Sequence, residues 1–214
     1  MPATRMRPAV AAVLLIVMAF VVPVAAEEPA PVGFMMRATL IGDSPYRGGH
    51  DARPYPVTIH VQGPSTRLDF EGPAGEQGLL LHDAASGAGW LISLGEGIAV
   101  PLQSPGVGGL VVDPQQPCLH MRARCRPAGS RYVAGRSTKG WRYADADGRG
   151  PAGTSTGELW VDPAHGVVLA YSGRKRGWDR RYEMEAVTVR YGPQPEALFK
   201  LPDDVAVPDG ATGR

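Results

Sequence analysis

The sequence is short of the features that most often give a function away. Only two cysteines occur in 214 residues, which excludes a disulfide-dense miniprotein and a zinc site built from four thiolates. Neither sign of charge dominates: 22 Lys and Arg stand against 21 Asp and Glu, so the basic surplus of a general nucleic-acid binder is missing. There is no Gly-x-Ser-x-Gly elbow and no phosphate-binding P-loop. The histidines His50, His60, His82, His120 and His165 show neither His-x-His nor His-x-x-x-His spacing. No catalytic residue, metal ligand set or cofactor is therefore predicted. A hydrolase would need Ser, His and Asp brought together by the fold alone.

One long apolar run is present, and its position is informative. Arg5 and Arg7 precede the stretch Ala9 to Val22, and Val24-Ala25-Ala26 follows it, ahead of Glu27-Glu28. This is the charged region, apolar region and small-residue cleavage site of a secretory signal peptide. The run falls short of the roughly 20 apolar residues of a membrane span, so cleavage near Ala26 and export to the periplasm are expected, with an uncleaved inner-membrane anchor as the alternative. No Cys follows the run, and Arg5 and Arg7 are not adjacent, so neither a lipid-modified N-terminus nor a twin-arginine signal is expected.

The organisation predicted after the signal peptide, 1–26, is a Pro-rich leader over 27–33, one β-rich domain over 34–205 and a disordered tail over 206–214. The 28 Gly and 21 Pro would indicate disorder in a polar chain. Here 43% of residues are hydrophobic, and the Gly and Pro punctuate short alternating segments. Phe34 to Ile41 reads as a strand. Val57 to Gln62 and Thr66 to Glu71 alternate apolar with polar around Gly63-Pro64-Ser65, a hairpin signature. Further candidates are Gly78–His82, Trp90–Leu94, Ile98–Leu102, Arg131–Arg136, Gly140–Tyr143, Glu158–Asp162, Val167–Tyr171, Tyr182–Tyr191 and a closing Leu198–Pro202. Tyr46–Pro54 and Ser104–Gly109 read as loops, and Pro114–Met121 as the one place for a short helix. The fold class is mainly β: a strongly curved antiparallel meander of ten or eleven strands forming an unclosed barrel, with few short helices.

Cys118 and Cys125 lie seven positions apart. In an oxidising compartment they read as a local disulfide; the alternative is a soft copper site with His120 and Met121. Asp145 to Gly150 has the outline of a calcium loop, but the twelfth residue is Thr156 rather than an acid, so it reads as a solvated turn. Asp162-Pro163-Ala164-His165 likewise reads as a surface turn. Arg122, Arg124, Arg126 and Arg131 surround the second cysteine. Arg174, Lys175, Arg176, Arg180 and Arg181 bracket Trp178 between two strands, and this cluster is either a solvated loop or a contact with an anionic membrane surface or a protein partner.

Gly140-Trp141, Leu159-Trp160-Val161-Asp162, Tyr182-Glu183-Met184 and the closing Leu198-Phe199-Lys200-Leu201-Pro202, behind a signal peptide and within a long meander, resemble periplasmic proteins of the LolA/LolB-like superfamily, outer-membrane lipoprotein carriers and their uncharacterised relatives. The resemblance covers most of Phe34 to Val205. It implies an unclosed barrel covered by helices around an apolar cavity for acyl chains. The chain departs from the carrier itself in its Pro-rich leader, where the carrier has an amphipathic helix, and in lid segments reduced to Ser104–Met121. The expected function is a non-enzymatic periplasmic binding protein that holds an acyl chain, lipid or lipoprotein tail among Leu68, Phe70, Leu80, Leu91, Ile98, Trp160, Leu169 and Met184. The alternative is an envelope sensor or assembly factor that binds another envelope protein through the Arg174–Arg181 loop without a lipid. No nucleic-acid partner is expected.

Overall fold

The computed structural model describes residues 33–44, 49–72, 75–84, 86–102 and 109–208. The predicted signal peptide, nearly all of the leader, parts of both predicted loops and residues 209–214 lie outside them. Eleven strands form one antiparallel sheet: β1 Gly33–Ser44, β2 Gly49–Gln62, β3 Ser65–Glu71, β4 Gln77–Asp83, β5 Ala88–Ser93, β6 Ile98–Pro101, β7 Arg124–Val133, β8 Arg136–Ala144, β9 Thr156–Asp162, β10 Val167–Arg174 and β11 Arg181–Tyr191. The order is β6-β5-β4-β3-β2-β1-β11-β10-β9-β8-β7. Two meanders are thus sewn together by the pairing of β1 with β11, and β6 and β7 remain as edges, so the barrel is unclosed. The described residues contain two short 3-10 turns, Pro151–Gly153 and Glu196–Phe199, and no α-helix. Among them no helix is long and apolar enough to cross a membrane.

Alternation dictates which side chains share a face. Val100, Leu91, Leu80, Leu68, Ile59, Met36 and Val189 stand opposite one another in a row from β6 to β11. A second row on the same face runs Tyr55, Leu40, Met184, Tyr171, Leu159, Trp141 from β2 to β8. Phe34, Met36, Ile59, Leu159 and Tyr143 of this inner face are at most 1% exposed. Bulges at Arg37/Ala38, Leu40/Gly42, Pro127/Gly129 and Val168/Ala170 interrupt the ladders and sharpen the local twist. The sheet therefore curls over its inner face.

The second face is covered at one end. Leu79, Leu81, Ile92 and Ala99 form a separate buried cluster with Phe199, and Leu198, Leu201, Val205 and Val207 pack on it. This explains the run Leu79-Leu80-Leu81 in β4, which faces apolar surroundings on both sides. The closing strand expected at Leu198–Pro202 is instead this cover. Pro195 and Pro202 cannot donate to a ladder, and Phe199, 3% exposed, is drawn into the cluster. Nor does order end at Val205: Ala99 N donates to Ala206 O at 2.9 Å and Ala206 N to Gly97 O at 2.7 Å.

Other expectations also shift. Gly49–Pro54 continues β2 because β1 extends to Ser44 and offers it a partner. Arg131–Arg136 is not one strand: it holds the end of β7, the corner at Ala134-Gly135 and the first residue of β8, with Ala134 and Gly135 at φ 50° and 73°, the left-handed pair that a tight hairpin needs. The turn read at Asp145–Gly150 opens a longer connection into β9, tied by Ala146 N to Ser155 O at 3.0 Å and Gly150 N to Thr154 O at 3.0 Å. Pro114–Met121 is a series of turns rather than a helix. It is pinned at one end by Val112 N to Gly166 O at 2.8 Å and at the other by the Cys118–Cys125 disulfide, Cα atoms 6.2 Å apart. With Cys118 and Met121 buried in the main core, replacing both cysteines by alanine is expected to lower stability by about 2 kcal/mol. Urea unfolding at matched protein concentration reads it; an unchanged midpoint would show that apolar packing alone holds the segment.

Candidate functional site

On a flat sheet Leu80 on β4 and Tyr171 on β10, with four strands between them, would stand about 24 Å apart. They line one cavity of about 320 Å³, which measures how far the sheet is curled. Its walls are Leu40, Ile59, Leu68, Phe70, Leu80 and Met184 on the strands, with Leu110, Pro151 and Ala152 as cover.

Asp43, Tyr55, Lys175 and Tyr182 bring polar atoms to this apolar space. Lys175 Nζ donates to Asp43 Oδ2 at 2.8 Å, the Tyr182 hydroxyl to Asp43 Oδ1 at 3.0 Å and the Tyr55 hydroxyl to the Asp43 carbonyl at 3.3 Å. Burial works against the Lys175 charge, but the hydrogen bonds and charges of Asp43 and Tyr182 outweigh it and hold its pKa above the ordinary value. The ammonium also lies 4.3 Å from the Tyr182 ring centroid and 5.5 Å from that of Trp178. Gly42 makes room for this arrangement, since a Cβ there would approach the Tyr182 ring at 3.2 Å. The result is an apolar pocket with one charged, hydrogen-bonded corner.

Of the eight residues predicted to line a cavity, Leu68, Phe70, Leu80 and Met184 do so. Leu91 and Ile98 share the inner face but lie further along it, in a separate hollow at the β5–β6 edge with Leu94 and Val100. Leu169 sits in the β9–β10 bulge, fully buried in the main core. Trp160 is on the opposite face: it covers Gly140, where a Cβ would come within 2.5 Å of the ring, and the Arg131 guanidinium lies 4.6 Å above it. Leu40, Ile59, Tyr171 and Tyr182 also line the cavity and are not among the predicted residues. Alternation within their strands could have found them once parity was known. No local signal marks Asp43 with Lys175, which are 132 positions apart.

Away from this cavity, Asp162 is buried rather than on the surface, 3% exposed. It accepts from the Tyr191 hydroxyl at 2.6 Å, the Ala164 amide at 2.9 Å and His165 Nδ1 at 3.2 Å. The His165 ring stacks on Tyr191 with centroids 3.6 Å apart. Burial pushes the Asp162 carboxyl up, but these three donors and the His165 charge pull it below the usual carboxylate value. The cluster locks the β9–β10 turn against the end of β11. Among the described residues, no group of three or more His, Cys, Asp or Glu is placed to hold a metal ion, and Cys118 and Cys125 are bonded to each other.

No protein-family model and no curated protein matches this chain. Among solved structures, it is similar to an uncharacterized conserved protein from Thermus thermophilus, with 14% identity over 81% of this chain and 88% of that one and a TM-score of 0.47. It is similar to a chain in the Pseudomonas aeruginosa MucA/MucB complex, with 14% identity and a TM-score of 0.39, covering 82% of this chain and 58% of that one. It is also similar to a LolA superfamily protein from Nitrosomonas europaea, with 9% identity over 81% of this chain and 92% of that one and a TM-score of 0.37.

Proposed function

We propose that this chain is a non-enzymatic binding protein of the periplasm, released from a signal peptide near Ala26, whose cavity receives a single acyl chain. The observation that carries the reading is the combination of a roughly 320 Å³ apolar cavity with one charged corner at Asp43–Lys175. Pockets of about 300–1,000 Å³ lined by apolar groups with a few placed polar ones are the usual form of a small-molecule site. At the small end of that range, one chain fits better than the several tails of a lipoprotein. The chain would lie between Leu68, Phe70, Leu80 and Met184, its polar end at Lys175, which the Asp43 and Tyr182 contacts keep charged.

The test is uptake of cis-parinaric acid, a fatty acid whose fluorescence rises in apolar surroundings. The wild-type chain is expected to bind one equivalent. Leu80→Trp, which fills the cavity from a half-buried position, should weaken uptake tenfold or more, whereas Ile98→Asp at the β5–β6 edge should leave it unchanged. No uptake by the wild type, or equal loss in both variants, would overturn the reading.

A further inference from the structure

We infer that the loop between β10 and β11, with Arg174 and Arg181 at its base, is a docking surface for an anionic phospholipid bilayer. Arg174 and Arg181 are directly opposed partners in the β10–β11 ladder. Like charges in that position work against the fold, so the pairing is not explained by stability. Within 174–181 there are five cations, Arg174, Lys175, Arg176, Arg180 and Arg181, and one acid, Asp179. Lys175 pairs with Asp43, Arg176 with Asp147 and Arg181 with Glu183. Among the described residues Arg174 has no ion-pair partner, and the Arg180 guanidinium has only the Trp178 ring, 5.2 Å away.

Trp178 supplies the second observation. Its amide donates to Lys175 O at 3.2 Å, closing a turn through Gly177 at φ 74°. That turn holds the indole outward, 50% exposed, with Lys175 and Arg180 against its ring. An indole set among cations matches the bilayer interface, where Trp prefers the headgroup level and Lys or Arg meets lipid phosphate. An acidic partner protein would use the charges but would also need an apolar pocket shaped for the indole, whereas a bilayer interface receives an indole anywhere on its surface. Nucleic acid is disfavoured by a chain whose overall charge is only +1. The inference does not depend on what fills the cavity, although Lys175 touches both.

The experiment is co-sedimentation of the full mature chain with vesicles of phosphatidylglycerol and phosphatidylethanolamine in equal parts, against vesicles of phosphatidylcholine alone. Binding to the anionic vesicles only, weakening as salt is raised, is expected. Trp178→Ala, and Arg174→Gln with Arg180→Gln, should each weaken it at least about tenfold, while Leu80→Trp should bind as the wild type does. Arg174→Gln alone should hold or raise the melting temperature while lowering vesicle affinity, which a purely structural arginine would not do. Inorganic phosphate at the concentration of lipid phosphate should not compete. Equal binding to both vesicle types, loop variants that bind unchanged, competition by inorganic phosphate, or tighter binding to an acidic peptide or an oligonucleotide than to the vesicles would overturn the proposal.

Discussion

Gly157→Ala is expected to lower the stability of the sheet by about 3 kcal/mol and the melting temperature by about 10 °C. Gly157 stands between Tyr143 on β8 and Gly173 on β10, on the inner face. A Cβ there would collide with the Ser172 carbonyl oxygen, and would meet the Tyr143 hydroxyl at 2.6 Å and the Gly173 Cα at 2.8 Å. Two of these are backbone atoms of the adjacent strand. The third is held as well: Thr154 Oγ1 donates to Pro151 O at 2.7 Å, so at the 2.5 Å contact with Thr154 it is Tyr143 that donates. Burial pushes the Tyr143 phenol up to about 12, which keeps that donor protonated. The new methyl must therefore displace the β9–β10 ladder or break the buried Tyr143–Thr154 bond. Thermal and urea unfolding by circular dichroism read the loss. Gly95→Ala is the control, with nothing within 4 Å of its added Cβ, and should stay within about 0.5 kcal/mol. Adding Tyr143→Phe to Gly157→Ala should recover part of the loss, a coupling that separates the hydroxyl clash from the backbone one. Equal effects at 157 and 95 would refute the account.

The same glycine shows where a sequence is legible and where it is not. Alternation marks the inward positions of Phe34 to Ile41, Val57 to Gln62 and Thr66 to Glu71, because each strand carries one wet and one dry face. It fails where both faces are dry. Leu79-Leu80-Leu81 has no parity of its own until Phe199 is known to cover Leu79 and Leu81. Trp160 misleads for a related reason. Its bulk reads as core, yet it covers Gly140 on the opposite face, and only the ladder register reveals that Gly140 and Trp160 are partners. At the cavity, Leu68 and Phe70 share a face of β3 by local pattern alone, whereas Leu80 and Met184 join that face only through the ladder register. Asp43–Lys175 depends on β1 lying beside β11, the one pairing that joins two meanders, and no local pattern encodes it. Likewise Ala134-Gly135 carries none of the Asn-Gly or Asp-Gly chemistry that marks a tight hairpin, so the corner was hidden inside an apolar run.

Asp162→Ala is expected to lower stability by about 3 kcal/mol at neutral pH, an effect as large as that at Gly157 but electrostatic in origin. The carboxylate is buried and serves three donors at once: Tyr191, the Ala164 amide and His165. Removing it strands the Ala164 amide and the Tyr191 hydroxyl and frees the turn between β9 and β10. Asp162→Asn keeps an acceptor for Ala164 while deleting the charge, so it should lose less, and the difference between the two variants isolates the turn from the ion. The pH dependence has a definite sign. Folding holds the Asp162 pKa below its ordinary value, near 4, so the unfolded chain takes up the proton first as acid is added. The stabilisation is complete above the unfolded value and is lost as pH falls through the folded one. The stability gap between wild type and Asp162→Asn should therefore be constant from neutral pH to about pH 5 and close below about pH 4. Urea midpoints across that range measure it. Tyr191→Phe removes the shortest of the three donors, so the Asp162 carboxyl should titrate closer to its ordinary value; the gap should start to close at the same pH but close by less and finish at higher pH. A gap that stays constant through pH 3 would show that the carboxylate is not held in its charged form by Tyr191, Ala164 and His165.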